Sequence, residues 1–407
     1  MRGHVRKRGN TWTLVYDLPR DPITGKRRKR WKGGYRIRRD AEDALADIIN
    51  PLERGTHVEP TKQTVREYLL DTWLPAAEIR LRPSTRLGYR IVIEKQLVPK
   101  IGGIRLQSLM PGRLNVMYSD LLANGRQDGR GGLSNRSVRI CHTVLRKALA
   151  DAKRWGILTR NVADSADPPR PGLAKNDAAR KQKTWTAEQL KQFLTHVRAE
   201  RIYPAFLLAA TTGMRRGEVL GLRWCDLDLD AGRVSITQTL IAPGYKLQFS
   251  APKTESGQRA VTLDTATVRA LREHRGAVEE ERRALGLAWD EAWLVFPNAD
   301  SSPIIPHLFT LAFQTLARKA GLPVIRFHDL RHTHATLALQ AGVHPKIVSE
   351  RLGHSSIAIT LDTYSHVIPT LQETAAELVA LMVVPDHEEP SADLLVPETP
   401  WNLTGPS

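Results

Sequence analysis

Four short segments in the second half of the chain combine cations, imidazoles and one tyrosine in a pattern that suits chemistry at a phosphodiester. They are TTGMRRGEVLGLRWCDLD at 211–228, PKT at 252–254, HDLRHTHAT at 328–336 and LGHSSIAITLDTYSH at 352–366. An attacked phosphodiester gathers negative charge on its non-bridging oxygens, so fixed positive donors must surround it. Each such residue alone is typical of an ordinary surface or packing position. Their joint occurrence, in one order and in one basic chain, favours a catalytic interpretation.

The cations of these segments divide into two roles. Arg215 and Arg331 would bind the phosphate, because a planar guanidinium grips two phosphate oxygens and stays protonated. By analogy with a lost oxyanion donor, removal of either arginine is expected to raise the barrier by about 3–4 kcal/mol. Lys253, beside a predicted hairpin turn, is placed to protonate the departing 5′-oxygen of DNA.

The remaining side chains supply a nucleophile and its helpers. Tyr364 is the nucleophile, and its phenol, with an ordinary pKa of about 10, needs cations nearby to ionise. His328 shares a helix face with the arginine three residues later and would take the tyrosine proton or bind the phosphate. His354, just past a predicted helix end, is a rigid loop donor. A covalent phosphotyrosine keeps the energy of the broken bond, so no metal, ATP or other cofactor is expected.

A histidine trio in the third segment invites comparison with a metal site, and the sequence argues against one. Its members are His328, His332 and His334. The last two point to different faces of the predicted helix, and no acidic or cysteine ligand is nearby. We therefore predict no metal at this trio.

The overall composition favours a polyanionic partner. The 407 residues include 60 Lys plus Arg against 43 Asp plus Glu, a net charge of +17, which indicates nucleic acid first and an acidic membrane second. No basic amphipathic helix supports the membrane alternative, and no apolar run approaches the roughly 18–20 residues of a membrane helix. Two distant cysteines, Cys141 and Cys225, exclude a disulfide framework and indicate a reducing cytosol. The basic start has no apolar run behind it, which argues against a secretory signal peptide.

The N-terminal segment predicts a small basic β-meander. TWTLVYDLP at 11–19 nearly alternates, and KRRKRWKGGYRI at 26–37 is strongly basic. Asp40 is expected to cap a helix over 41–50, and 52–63 is interpreted as a linker. Four aromatic residues either form the core of the meander or stack on bases, with core packing favoured: Trp12, Tyr16, Trp31 and Tyr35.

Two further units follow. Residues 64–165 predict an all-helical unit, because four segments carry apolar residues at helical spacing. A segment rich in proline and charge, 167–183, is interpreted as an interdomain linker. In the third unit, helices surround three predicted strands, at 233–241, 245–253 and 259–263, and the last two are expected to form a hairpin around 254–258. The acidic, proline-rich tail after about residue 384 is expected to be disordered.

Together the four chemical segments closely resemble the catalytic blocks of tyrosine recombinases, the phage-integrase family, over roughly residues 184–370. The resemblance implies that the six catalytic positions of that family fall on Arg215, Lys253, His328, Arg331, His354 and Tyr364. It also implies that Glu218 supports the active-site arginine and histidine. Residues 64–165 resemble the helical core-binding domain of the family, and residues 1–50 resemble the arm-binding domain of its larger members.

The resemblance implies a multidomain fold class: a small N-terminal β-meander plus helix, an all-α core-binding domain, and a mostly α (α+β) catalytic domain with a small antiparallel sheet. The expected boundaries are 1–55 for an arm-type DNA-binding domain, 64–167 for the helical (SAM-like) core-binding domain, 168–183 for the linker, 184–384 for the catalytic domain and 385–407 for the tail. DNA contacts are expected from eight cations: Arg27, Arg28, Lys29, Arg30, Lys32, Arg136, Arg139 and Arg146.

The function implied is site-specific cleavage and rejoining of double-stranded DNA through a 3′-phosphotyrosine, integrating or excising a phage or other mobile element. A cytoplasmic, nucleoid-associated homotetramer on DNA is implied, with core and arm-type sites, and an excision factor or host DNA-bending protein as further partners. Residues 370–384 are expected either to dock onto a neighbouring subunit or to pack on their own domain. Two alternatives stay open: an inactive DNA-binding architectural protein or repressor, and a type IB topoisomerase. The intact set of six residues argues against the first, and the arm-like N terminus with the LGHSS segment argues against the second.

Overall fold

A computed structural model of the chain describes residues 3–18, 24–53, 58–171, 184–252, 255–364, 379–380 and 382–383. The chain divides into two compact units, Met1–Ala179 and Arg180–Ser407. Within these described ranges, no helix has both the length and the apolar character needed to cross a membrane. Lys253, the segment 370–378, residue 384, the predicted tail and most of the predicted linker lie outside the described residues.

The first unit opens with a three-stranded antiparallel sheet in which sequential strands are neighbours. Its elements are β1 (Gly3–Arg8), β2 (Thr11–Leu18), β3 (Arg28–Tyr35) and the following helix α1 (Arg38–Glu53). The predicted β-meander is confirmed. Helix α1 begins two residues before the expected cap, so Asp40 lies in its first turn, where an acid stabilises the helix dipole.

The expected aromatic core of this sheet is wrong. The buried side chains are aliphatic, with Leu14 and Leu18 on β2 and Leu45 on α1. Trp31 is 51% exposed, and the guanidinium of Arg6 lies 4.4 Å from its ring centroid. The reason is that α1 packs on the sheet mainly over β1 and β2, which leaves the edge strand β3 open to solvent.

The rest of the first unit is helical, as predicted. Its α-helices are α2 (Val65–Glu67), α3 (Leu74–Glu78), α4 (Pro83–Val92), α5 (Val98–Ile101), α6 (Pro111–Asn124) and α7 (Asn135–Arg154), with π-helical turns at Tyr68–Trp73 and Ile93–Leu97 and short 3₁₀ turns at Leu106–Ser108 and Val162–Ser165. Buried polar contacts tie the π-helical turn Tyr68–Trp73 to α7. Tyr68 donates to the Ala148 carbonyl at 2.7 Å, and Trp73 donates to Asp151 at 2.8 Å.

The second unit is mostly helical, with a small antiparallel sheet. Its helices are α8 (Ala187–His196), α9 (Tyr203–Thr212), α10 (Arg216–Leu220), α11 (Thr265–Ala284), α12 (Pro306–Lys319), α13 (Phe327–Gln340), α14 (Pro345–Leu352) and α15 (Ile357–Tyr364), with short 3₁₀ turns at Trp224–Asp226, Pro243–Tyr245 and Glu255–Gly257. The side chain of Thr186 accepts a hydrogen bond from the Gln189 amide and caps α8. Interlocked aromatic rings, including Phe206, Phe313 and Phe327, fill the core.

The strands of this unit pair differently from the prediction. They are β4 (Leu227–Asp228), β5 (Arg233–Ile236), β6 (Thr239–Ile241), β7 (Gln248–Ser250) and β8 (Arg259–Thr262). The segment 233–241 breaks into two strands, and β8 pairs with β5 whereas β7 pairs with β6. The last two predicted strands therefore do not form a hairpin with each other. The break lies at Thr237 and Gln238, whose side chains bond to Asp226 and to the Gly221 carbonyl, outside either sheet.

A small second core holds the last described helices together. Ala335, Leu339, Val348, Leu352 and Tyr364 form a buried cluster. Because these residues come from α13, α14 and α15, the three helices carrying the histidines and the tyrosine are packed as one group.

Candidate active site

Arg215 is held by the acid three residues later. Helix α9 ends at Gly213, whose φ of +68° suits glycine, and Arg215 then caps α10. The Arg215 amide donates to one Glu218 oxygen at 2.9 Å, and its guanidinium donates to the other at 2.7 Å. The carboxylate is 4% exposed and the Arg215 side chain 40%. The buried acid therefore fixes one edge of a guanidinium that stays open to solvent.

Arg331 is more deeply placed. It is 3% exposed, and its two terminal nitrogens donate to the carbonyls of Gly213 at 2.9 Å and Leu352 at 2.6 Å. Burial, with the nearby positive charge of Arg215, lowers its pKa to about 9. That value is still above neutrality, so Arg331 carries its charge at pH 7.

The loop after α14 carries His354. Helix α14 ends at Gly353, with φ of +65°, and a Cβ there would lie 2.6 Å from the Ser256 carbonyl. His354 Nδ1 shares a 2.8 Å hydrogen bond with the buried hydroxyl of Thr360. That bond fixes the imidazole plane. His354 thus lies just past the end of α14, and its role as a donor stays a prediction.

Tyr364 lies inside the same site. It is 1% exposed at the end of α15, and its hydroxyl is 2.9 Å from His332 Nδ1. Burial raises the pKa of Tyr364 to about 12, and the charge of Arg331 partly opposes that rise. The phenol is therefore neutral at rest. His332, rather than His328, is the imidazole that contacts it.

The histidines of the site are neutral at pH 7. Desolvation and neighbouring cations lower the pKa of His328 and of His354 to about 4. The pKa of His332 is also lowered, by burial first and by Arg331 next. The His328 and His332 rings meet edge to face at 5.1 Å between centroids. Neutral imidazoles here offer one donor and one acceptor each.

The histidine trio does not converge on one point. His334 Nδ1 bonds the Ala210 carbonyl at 3.0 Å, whereas His332 bonds Tyr364. Among the described residues, no group of three or more histidine, cysteine or acidic side chains is arranged to hold a metal ion.

The structure brings together five of the six residues that the resemblance assigned. Arg331 and Arg215 donate to the consecutive carbonyls of Leu352 and Gly353, directly before His354. His328 meets His332, whose ring bonds the hydroxyl of Tyr364. The five are Arg215, His328, Arg331, His354 and Tyr364. Lys253 lies outside the described residues. Two participants were missed by sequence reasoning, His332 at the phenol and Arg259, which donates to Glu218 at 3.0 Å. Arg259 is a lone arginine at the start of β8 and carries no sequence signal. His332 did carry one, because it lies one helical turn after His328.

The eight cations predicted to contact DNA have mixed surroundings. Three have protein acceptors: Arg28 pairs with Glu59 at 2.7 Å, Arg139 donates to the Pro169 carbonyl at 3.1 Å, and Arg146 pairs with Asp164 at 2.6 Å. The other five are exposed on β3, the turn before it or α7: Arg27, Lys29, Arg30, Lys32 and Arg136.

Comparison with known families matches three parts of the chain. The phage integrase family matches residues 183–370, the arm DNA-binding domain matches 4–52, and the phage integrase N-terminal SAM-like domain matches 65–121. The three matches lie in the order expected from the sequence.

Relatives of similar length agree. A tyrosine recombinase XerC-like protein of Caldanaerobacter subterraneus subsp. tengcongensis is 27% identical over 92% of this chain and 97% of its own length. The ICEBs1 integrase of Bacillus subtilis is 25% identical over 88% of this chain and 93% of its own. The fold resembles that of the Tn1549 transposon integrase solved with a circular intermediate DNA, with a TM-score of 0.62 and 21% identity over 78% of this chain and 99% of that one. The chain belongs to the phage integrase family and is a tyrosine-type site-specific recombinase.

Proposed function

We propose that the Tyr364 oxygen attacks a phosphorus of duplex DNA, so that the Tyr364 O–P bond forms and the P–O5′ bond breaks. The products are a 3′-phosphotyrosine and a free 5′-hydroxyl, and attack by the 5′-hydroxyl of a second strand reverses the step on a new partner. The observation that carries this proposal is the convergence of the phenol with Arg331 and the site histidines in one chain.

The two arginines stabilise the charge that develops on the phosphate. Arg215 supplies an open guanidinium whose orientation is fixed by Glu218. Arg331 supplies positive charge from a buried position, where it is less screened by water. Because both are held before DNA arrives, little reorganisation is needed at the moment of reaction.

Proton transfers complete the reaction. A neutral His332 accepts the phenolic proton through the contact at 2.9 Å. His354 and His328 donate hydrogen bonds to phosphate oxygens, and Glu218 holds Arg215 without touching the DNA. Lys253 is proposed as the general acid that protonates the leaving 5′-oxygen, an assignment that is carried by its place in the PKT segment.

The other parts of the chain bind DNA away from the reacting phosphate. Residues 64–167 would grip the core site, and residues 1–55 would bind arm-type sites, which supports integration and excision of a phage or other mobile element. We propose a tetramer on two duplexes, acting in the cytoplasm where nucleoid DNA lies, with an excision factor or a DNA-bending protein as a further partner.

Residues 370–384 would dock on a neighbouring subunit. Deletion of 370–407 should then abolish the formation of tetramers on DNA, and unchanged assembly would reject the docking.

A suicide-substrate cleavage assay tests the chemistry. Wild type should accumulate a covalent protein–DNA adduct, whereas Tyr364→Phe should bind the same DNA with equal affinity and form none. Lys253→Ala should cleave slowly and recover in part on a substrate whose leaving group is activated, because that group needs no proton. An adduct in Tyr364→Phe would reject Tyr364 as the nucleophile, and absence of recovery would remove Lys253 from the acid role.

The same assays separate the alternative functions. Absence of an adduct with wild type would favour the inactive DNA-binding protein, and relaxation of arbitrary plasmid by a monomer would favour a topoisomerase.

A further inference from the structure

The C-terminal end of α14 is held by three arginines that donate to three consecutive carbonyls. Arg259 Nε donates to the Arg351 carbonyl at 2.6 Å, Arg331 to Leu352 at 2.6 Å, and Arg215 to Gly353 at 3.3 Å. The last carbonyls of a helix have no partner within it and carry its negative dipole end. This end therefore collects cations directly before His354.

Arg259 is buried, as Arg331 is, whereas the Arg215 side chain is 40% exposed. The Arg259 side chain is 7% exposed. Nη1 and Nη2 donate to the two oxygens of Glu218 at 3.3 and 3.0 Å, and Nη1 also donates to the Gly257 carbonyl at 3.3 Å. All three of its nitrogens are thus engaged within the protein.

The carboxylate of Glu218 lies between two guanidinium groups. Arg259 occupies one side of it and Arg215 the other. If Arg259 were absent, Glu218 would be left with a single cation and would draw Arg215 toward itself. At the same time, the Arg351 carbonyl would lose its donor, and the loop leading to His354 would lose one of its three attachments.

We infer that Arg259 is a positioning residue, which sets Arg215 through Glu218 and sets His354 through the end of α14. This inference rests on the proposed function, because it concerns the same phosphate site. Arg259 does not touch DNA; it shares a buried carboxylate so that Arg215 keeps a free edge for the phosphate. By analogy with residues that orient metal ligands, loss of such a supporting contact is expected to cost about 10–100-fold in activity.

The test is single-turnover cleavage of a suicide substrate by the full-length protein, with DNA affinity measured in parallel. Arg259→Gln should bind DNA as wild type does and cleave about 10–100-fold more slowly. Glu218→Gln should show a similar loss, and the double variant Glu218→Gln, Arg259→Gln should be no slower than the slower single variant. Such non-additivity is the sign of two residues acting through one contact.

Arg223→Gln is the matched control, because Arg223 also bonds a buried acid three residues later, Asp226, away from the site. It should cleave at the wild-type rate. Arg259→Lys controls for a folding defect in the glutamine variant. Lysine keeps the positive charge but lacks the planar guanidinium that bonds several acceptors at once, so this variant should also cleave at least about tenfold more slowly. A wild-type rate in Arg259→Lys, an equal loss in the control, or multiplying losses in the double variant would overturn the inference. Absence of adduct with wild type would instead reject the proposed function.

Discussion

His332 shows how a residue can be visible in a sequence while its partner is not. The helical spacing from His328 places both on one side of α13, and the two rings do meet at 5.1 Å. The contact with Tyr364, 32 residues later, depends on how α15 packs against α13. Spacing within one helix predicts neighbours on that helix only, so the sequence, which argued against a metal at the histidine trio, gave no sign of the contact with the phenol.

The role of His332 leads to a prediction at this scale. His332→Leu removes the acceptor of the phenolic proton and should slow cleavage roughly 100-fold, the lower range for loss of a general base. His332→Asn keeps a polar atom near the position of Nδ1 and should lose less. Single-turnover rates on the same suicide substrate would check both. Equal rates for His332→Leu and wild type would show that the phenol does not need this acceptor.

The six positions that the resemblance assigns to catalysis lie in short, distinctive segments, which is why the sequence could single them out. Five of them converge in the described residues, as the resemblance implied. Arg259 was not predictable, because its bonds to Glu218 and to the Arg351 carbonyl join segments that are distant in the sequence. Its one bond to a sequence neighbour goes to the Gly257 carbonyl. The catalytic roles of the six positions stay predictions until DNA cleavage is measured.

Among the elements, the long helices and the N-terminal β-meander were predicted, whereas the strand pairing in the second unit was not. The apolar spacing of α7 and α11 covers five turns each, which gives a strong periodic signal. The strands β5 to β8 have three or four residues each, too few to show which partner they choose. The side chains of Thr237 and Gln238 direct the chain from one sheet to the next, and their partners lie in other elements.

The end of α14 gives a prediction at the scale of elements. Gly353→Ala introduces a Cβ at positive φ, 2.6 Å from the Ser256 carbonyl and 2.9 Å from Arg259 Nη1. The backbone alone should cost about 1–2 kcal/mol of unfolding free energy. The clash should add to this and should displace the loop, so that cleavage falls as well. Urea unfolding and the cleavage assay measure the two effects.

Gly286→Ala is a matched control, because Gly286 has φ of +69° and open space around its Cβ position. It should show the backbone cost alone and cleave normally. If the two alanine variants were equally stable and equally active, the crowding at Gly353 would have no bearing on the site.

For the whole molecule, net charge and the order of segments were informative. The excess of 60 basic over 43 acidic residues predicted a polyanionic partner, and the three family matches follow the predicted order along the chain. The boundary between the two compact units, after Ala179, falls inside the predicted linker 168–183. The finer division of the first unit at 1–55 and 64–167 stays a prediction. Single-sequence reasoning could not tell which surface cations are already paired, since their acceptors are distant in sequence.

Salt dependence of DNA binding tests the exposed cations of the N-terminal sheet. If Lys29 and Arg30 each contact a phosphate, replacing both with glutamine should lower the slope of log affinity against log salt by about 1.8. Arg272→Gln, which removes a cation paired with Asp230 at 2.7 Å, should leave the slope unchanged. Titration of arm-site DNA at several salt concentrations provides the slopes. An unchanged slope in the double variant would place the phosphate contacts elsewhere.

The burial of Tyr364 has a consequence for a copy of the protein that has not met its target. Tyr364, the proposed nucleophile, is 1% exposed, so neither solvent nor a DNA phosphate can reach its hydroxyl. The arginines around it are nevertheless already held in position. Each cut must therefore begin with a movement that uncovers the phenol. If Tyr364 is the nucleophile, we expect the free protein to nick DNA rarely, because its phenol stays covered until a bound site moves it.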